Sequence, residues 1–164
     1  MPISEQKKLL EELKNSLAQA VPEGQVIETD YARTGYHLEV RLEQVGMRPV
    51  AQVMKDRRFF LETITALDFI DYFELVYLYS TYYQEFCRVK TAVRIPKDAT
   101  PLSISAVYTG AIWLEREVYD FFGIRFQEHP DLKRIINPDD ADYFPLLKNF
   151  GKTKFTGEID DILC

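Results

Sequence analysis

Between Trp113 and Gly123 the chain sets Glu115, Arg116, Glu117 and Asp120 into a segment whose apolar spacing predicts a helix. At ~100° per residue, Ile104, Val107, Tyr108, Ala111, Val118 and Phe122 form one stripe, which should face a sheet. Trp113, Arg116, Glu117 and Asp120 group on the opposite side, where Arg116 and Asp120 stand close enough to pair. Glu115 falls within the apolar stripe, so it is expected to be a buried charge. An unpaired carboxylate there would cost several kcal/mol. A cationic or hydrogen-bonding partner is therefore expected, with Arg88, Lys90, Arg94 and Arg134 as candidates. A solvated face is the ordinary fate of such a charge run, but a Trp among the charges points to an interaction surface. Another surface is thus expected to satisfy this cluster.

The preceding sequence reads as a mixture of strands and helices. Leu9, Leu13, Leu17 and Ala20 predict an amphipathic helix over 4–21, with Ser4 as N-cap and Pro22 and Gly24 ending it. A short strand is predicted over 25–29. Tyr36, Leu38, Val40 and Leu42 alternate with His37, Glu39, Arg41 and Glu43, which predicts a half-buried strand in an antiparallel sheet. A short helix over 49–57 has Pro49 near its first turn. Strands follow over 60–67, 73–82 and 85–95, the last two joined by a hairpin at Tyr83–Gln84. Ser103 is the expected cap of the helix that ends at Phe122. The irregular order of helices and strands predicts an α+β fold, a single mixed or antiparallel sheet covered by helices, over 1–122.

From 123 to 164 the pattern changes. Pro130, Pro138, Pro145, Gly151 and Gly157 break each apolar cluster before it can form a long element. Such a segment cannot make its own core. It either wraps its own domain or lies along a partner. An extended C-terminal arm that folds on contact with a partner subunit is the expectation.

Composition narrows the functional classes. An apolar content of 46% supports a packed core rather than disorder. The net charge of −6 argues against general binding to nucleic acid or to an anionic membrane. Cys87 and Cys164 suggest no disulfide framework, and a reducing compartment is expected. The longest uncharged stretch, 99–114, is shorter than the roughly 20 residues of a spanning helix. The N-terminus is charged from Glu5 onward, so no signal peptide is expected. Any membrane contact should therefore come through another subunit.

Motifs for chemistry are sparse. Two separated cysteines cannot hold a four-thiolate iron–sulfur cluster, and no glycine-rich nucleotide motif occurs. His37 is expected to be solvated on the polar side of its strand. His129, with Pro130 behind it, has the chemistry of a proton carrier, but a lone histidine is more often a structural hydrogen-bonder. Glu115 and Glu117 point apart on a helix, and Asp139 with Asp140 read as solvated acids or caps in a proline-bounded loop.

The run Glu115-Arg116-Glu117-x-x-Asp120-Phe121-Phe122-Gly123-Ile124-x-Phe126, then His129-Pro130-x-Leu132-x-Arg134-Ile135, closely resembles the signature of the thirty-kilodalton subunit of proton-pumping NADH:quinone oxidoreductase, respiratory complex I. Asn137-Pro138-Asp139-Asp140 and Pro145-Leu146-x-Lys148-x-Phe150 are similar to the block that follows in that family. Ala141 follows the acidic pair where the family usually has a Trp next. Leu147 stands where the family has an arginine, and Asn149 where it has an acid.

The resemblance implies a cofactor-free peripheral-arm subunit with no catalytic residues of its own. NAD, FMN, iron–sulfur clusters and quinone would belong to other subunits. Its implied partners are the quinone-site subunit and the iron–sulfur subunits, on the cytoplasmic side of a bacterial inner membrane. The expected partner interface comprises Trp113, Arg116, Glu117, Asp120, His129, Pro130, Arg134, Pro138 and Lys148. Similar subunits occur in photosynthetic NDH-type complexes and in membrane-bound hydrogenases, which leaves the electron donor open. A small acid–base enzyme using His129 is the remote alternative.

Overall fold

A computed structural model describes residues 5–43, 46–83 and 85–151. The elements run α1 (Glu5–Ala20), β1 (Gln25–Glu28), α2 (Tyr31–Thr34), β2 (Leu38–Leu42), α3 (Met47–Asp56), β3 (Phe60–Asp68), β4 (Tyr72–Thr81), β5 (Cys87–Pro96) and α4 (Ala111–Phe122). The cap expected at Ser4, Gln84 of the expected hairpin and residues 152–164 of the arm lie outside the described residues.

The strands form one mixed sheet in the order β1-β2-β5-β4-β3. The strand that alternates from Tyr36 was expected in an antiparallel sheet. It is antiparallel to β1 but parallel to β5, with Leu38 opposite Val89 and Leu42 opposite Val93. α3, β3 and β4 lie between β2 and β5 in sequence, long enough for a crossover that returns β5 in the same direction.

The pleat explains the core. Leu38 and Val40 of β2, Val89 and Val93 of β5, Leu75 and Tyr77 of β4 and Ile64 of β3 share one face of the sheet. They are buried with Leu13 and Leu17 of α1, Met54 of α3 and Val118 of α4 in a single cluster. The other face carries ion pairs. Lys90 meets Glu39 across strands at 2.9 Å, Arg41 meets Glu39 within β2 at 2.9 Å, and Arg88 of β5 meets Glu62 of β3 at 3.0 Å.

Two local expectations are corrected. His37 was expected in solvent but is buried. Tyr31 stacks on its ring at 4.6 Å, and the Arg88 backbone N–H donates to Nδ1. The helix expected from Ser103 begins only at Ala111, behind Gly110. Residues 103–110 instead form local turns, in which Ser103 Oγ accepts Ser105 N–H at 3.0 Å and Ile104 O accepts the N–H groups of Val107 and Tyr108 at 2.9 Å each, while the Ser103 hydroxyl and the Ile104 N–H bond Glu115. The one-turn α2 was not anticipated. Its Asp30 cap accepts from Ala32 N–H, and Gly35 closes it in the left-handed region, but one turn is too short to show a periodic pattern.

Residues 123–151 are laid against the domain. Gly123, with φ +77°, ends α4, and a Cβ there would sit 2.8 Å from the Phe144 ring. Ile124 and Phe126 enter the core. Gln127 N–H donates to Pro101 O at 2.8 Å and Ser103 N–H to Gln127 O at 2.9 Å. Leu75 is fully buried at the centre of the sheet. Leu75→Ala is expected to lower the unfolding free energy by about 2–5 kcal/mol, read from denaturant melts.

Candidate docking surface on helix α4 and the arm

The α4 carboxylates and arginine hold the arm by directed hydrogen bonds. The Asp120 side chain is fully buried. Its Oδ2 accepts the backbone N–H groups of Ile135, Ile136 and Asn137 at 3.2, 2.7 and 3.0 Å. Its Oδ1 accepts Arg134 Nη1 at 2.8 Å and Asn137 Nδ2 at 3.0 Å. Burial alone would raise the pKa of this carboxyl. The Asn137 N–H and the Arg134 guanidinium outweigh that and hold it well below the ordinary carboxylate range.

Arg134 carries the tether further along the chain. Its Nη2 donates to Ala141 O at 2.6 Å and Tyr143 O at 3.0 Å, and its guanidinium lies 4.9 Å from the centre of the Phe144 ring. Arg116 donates from Nε to Lys133 O and from Nη2 to Arg134 O, at 3.1 and 3.0 Å. It also lies 4.8 Å from the centre of the Trp113 ring. Arg116 and Asp120 therefore do not pair with each other. Each binds the arm, so these two members of the cluster are satisfied within the chain, while Glu117 and Trp113 stay exposed.

Glu115 is also fully buried. Its partners are hydrogen-bond donors, Ser103 Oγ at 2.6 Å and Ile104 N–H at 2.8 Å, as one branch of the expectation had it, and not the candidate cations Arg88, Lys90, Arg94 or Arg134. Arg88 and Lys90 lie on the opposite face of the sheet, bound to Glu62 and Glu39, and Arg134 is engaged by Asp120. Burial pushes the Glu115 carboxyl up to about 7, against the pull of these donors and of Arg48. His129 lies with its Nε2 3.9 Å from Glu115 Oε2, and its side chain is fully buried. Its Nδ1 accepts Asp131 N–H at 3.1 Å, which sets the ring proton on Nε2 toward Ile112 O at 3.0 Å. Both ring nitrogens are thus engaged within the chain.

The remaining expected site residues lie outward. Glu117, Pro130, Pro138 and Lys148 are at least partly exposed, and Trp113 is 62% exposed. Lys148 N–H donates to Asp68 Oδ2 at 2.7 Å, which fixes the far end of the arm to the β3–β4 turn. Ile136 at 63%, Leu146 at 53% and Phe150 at 49% project from the arm into solvent, and Ile70 at 88% projects from the adjoining turn. A cleft of about 540 Å³ between turn and arm is lined by Phe69, Phe73, Phe122, Phe144 and Leu147. Sequence reasoning missed Ser103, Asn137 and Phe144 as structural partners. Asn137 before Pro138 carried a usable signal, because Asn favours side-chain-to-backbone bonds in turns.

Comparison with known proteins bears on the same stretch. The family described as "Respiratory-chain NADH dehydrogenase, 30 Kd subunit" matches residues 40–156. The chain belongs to this family. It is similar to an NADH-quinone oxidoreductase subunit from Trichlorobacter lovleyi, 35% identical over 134 residues, which cover 78% of this chain and 82% of the relative. A second such subunit, from Jannaschia sp., is 35% identical over 138 residues, 80% of this chain and 66% of the relative. The mitochondrial 30.4 kDa subunit of NADH-ubiquinone oxidoreductase from Neurospora crassa is 45% identical over 98 residues, 57% of this chain and 34% of that protein. The chain is accordingly a subunit of a complex I-type NADH:quinone oxidoreductase, and its partners include other subunits of that complex. No helix among the described residues is long and apolar enough to cross a membrane.

The Asp120 network makes a specific demand on the arm. Asp120→Ala leaves the Arg134 guanidinium buried without its counter-charge. It is expected to cost about 3–5 kcal/mol and to speed amide exchange at Ile135–Asn137. The contribution of Asp120 belongs to a carboxyl whose folded pKa lies below its ordinary 3.8. It should therefore hold at all pH values above that point and fade only as pH falls below it. Unfolding melts of both proteins between neutral and strongly acid pH check the sign.

Proposed function

We propose that this chain is a cofactor-free structural subunit of the peripheral arm of its oxidoreductase. It packs against the quinone-site subunit, joins it to the iron–sulfur subunits, and so supports electron transfer from NADH to quinone coupled to proton translocation through geometry alone. NAD, FMN, the clusters and quinone are carried by those neighbours, and no residue of this chain takes part in the chemistry. Contact with the membrane, on the cytoplasmic side of a bacterial inner membrane, runs through other subunits.

The observation that carries this reading is the contrast between the two sides of the arm. Inward, Asp120, Arg134 and Arg116 are fully engaged and hold the segment in place. Outward, Ile136, Leu146 and Phe150 stand exposed on the arm and Trp113 on the helix that holds it. Large apolar groups gathered on a rigid surface mark an interface, because water is a poor neighbour for them. A pre-organised arm also loses little conformational entropy on docking.

Leu146→Arg and Trp113→Ala change side chains that face solvent, so the free chain should keep its melting temperature. Each variant, tagged and expressed in place of the original, should retain several-fold less of the quinone-site subunit on purification. NADH:quinone activity should fall in proportion to the assembled complex. Full recovery of that subunit with both variants would exclude this surface as the dock.

A further inference from the structure

Of the two buried carboxylates on α4, Glu115 alone has no arginine or lysine paired with it. α4 carries it inward, and groups from every packed element surround it. The 101–110 segment supplies Ser103 Oγ and Ile104 N–H. The arm supplies His129, whose proton is committed to Ile112 O. α3 supplies Arg48, which acts through its field while its own hydrogen bonds go to Ser103 O at 2.7 Å and Glu128 Oε2 at 2.7 Å. β4 supplies Tyr77 and Tyr79, whose buried hydroxyls are driven toward staying protonated, first by desolvation and also by the Glu115 charge.

The arrangement around Ser103 suits both charge states of the carboxyl. Ser103 Oγ lies 2.6 Å from Glu115 Oε2 and 2.7 Å from Ser105 Oγ, yet its hydroxyl has one proton to give. With Glu115 ionised, Ser103 donates to the carboxylate. With Glu115 protonated, the acid donates to Ser103, which turns its proton to Ser105. Neither state leaves a polar atom unsatisfied along this row. Ser105 is part-exposed, so the oxygens run from a fully buried carboxylate to the surface.

We infer that Glu115 is a proton-binding site in exchange with solvent through the hydroxyls of Ser103 and Ser105. On uptake, a hydronium ion gives a proton to Ser105 Oγ and departs as water, Ser105 passes its own proton to Ser103, and Ser103 passes its own to Oε2. Both hydroxyls end protonated with their bonds reversed, and the carboxylate gains a single proton. The gain removes the negative charge that faces Arg48 and His129. It therefore weakens the electrostatic tie where the 101–110 segment, α3 and the start of the arm meet. This site stands apart from the outward surface proposed as the dock.

The full chain with ¹³C-labelled glutamate reports the Glu115 carboxyl directly by NMR. Its resonance should titrate near pH 7, above the ordinary 4.5, and vanish in Glu115→Gln. Because its folded pKa is raised, the stability tied to this group is present below pH 4.5 and is lost as pH rises through 7. Glu115→Gln should flatten that fall in melting temperature. The opposite slope from His37, whose pKa burial lowers, should remain. Ser103→Ala removes a bond to the ionised form and should move the midpoint upward. Ser105→Ala should leave the midpoint nearly unchanged and slow proton exchange several-fold. A wild-type carboxyl that titrates near 4.5, or that keeps one state from pH 5 to 9, would overturn the site. So would exchange at an unchanged rate in Ser105→Ala, which would show that the proton takes another route.

Discussion

The Asp120 carboxylate sits where the backbone of residues 134–137 turns its N–H groups inward, and it accepts from three successive residues as well as from Arg134. A proline-broken segment has no ladder or helix of its own to satisfy those groups, so a buried anion on a rigid helix replaces one. The arrangement works because α4 is itself fixed by Val118 and Phe122 in the core. Arg134, held in place by Asp120, then reaches Ala141 and Tyr143, and one ion pair organises a long stretch of irregular chain. The charge that looks excessive on a helix is the structural framework of the arm.

Two acids on that helix experience opposite environments. Asp120 meets a cation and several N–H donors, which more than offset its burial and keep it ionised. Glu115, one helical turn and one residue earlier, meets a hydroxyl, one N–H and a more distant arginine, and burial prevails. The difference comes from the number and charge of donors each side chain reaches, since both are removed from water. One acid is suited to permanent structure and the other to proton exchange.

The domain presents two unlike faces. The outer face of the sheet pairs its charges, Glu39 with Lys90 of the next strand and with Arg41 of its own, and Glu62 with Arg88. Such a face is satisfied in water. On the arm and its helix Arg116, Asp120 and Arg134 are buried, while the large apolar side chains Trp113, Ile136, Leu146 and Phe150 are exposed.

The alternation of Leu38, Val40 and Leu42 with Glu39 and Arg41 made β2 and its core face legible, because a pleated strand has a period of two whatever surrounds it. The run from Glu115 to Arg134 likewise carried the family in its residues alone. The parallel pairing of β2 with β5 was not legible, because strand direction depends on the crossover and leaves no trace in alternation. The helix start at Ala111 was hidden in the same way. Ser103 has the side chain of a cap and accepts Ser105 N–H, yet it closes only a local turn, and the fold alone brings Glu115 within 2.6 Å of its hydroxyl. Local pattern determined which residues form elements and which face is apolar. Tertiary structure decided where each charge found its partner, because a hydrogen bond depends on distances that sequence neighbours do not set.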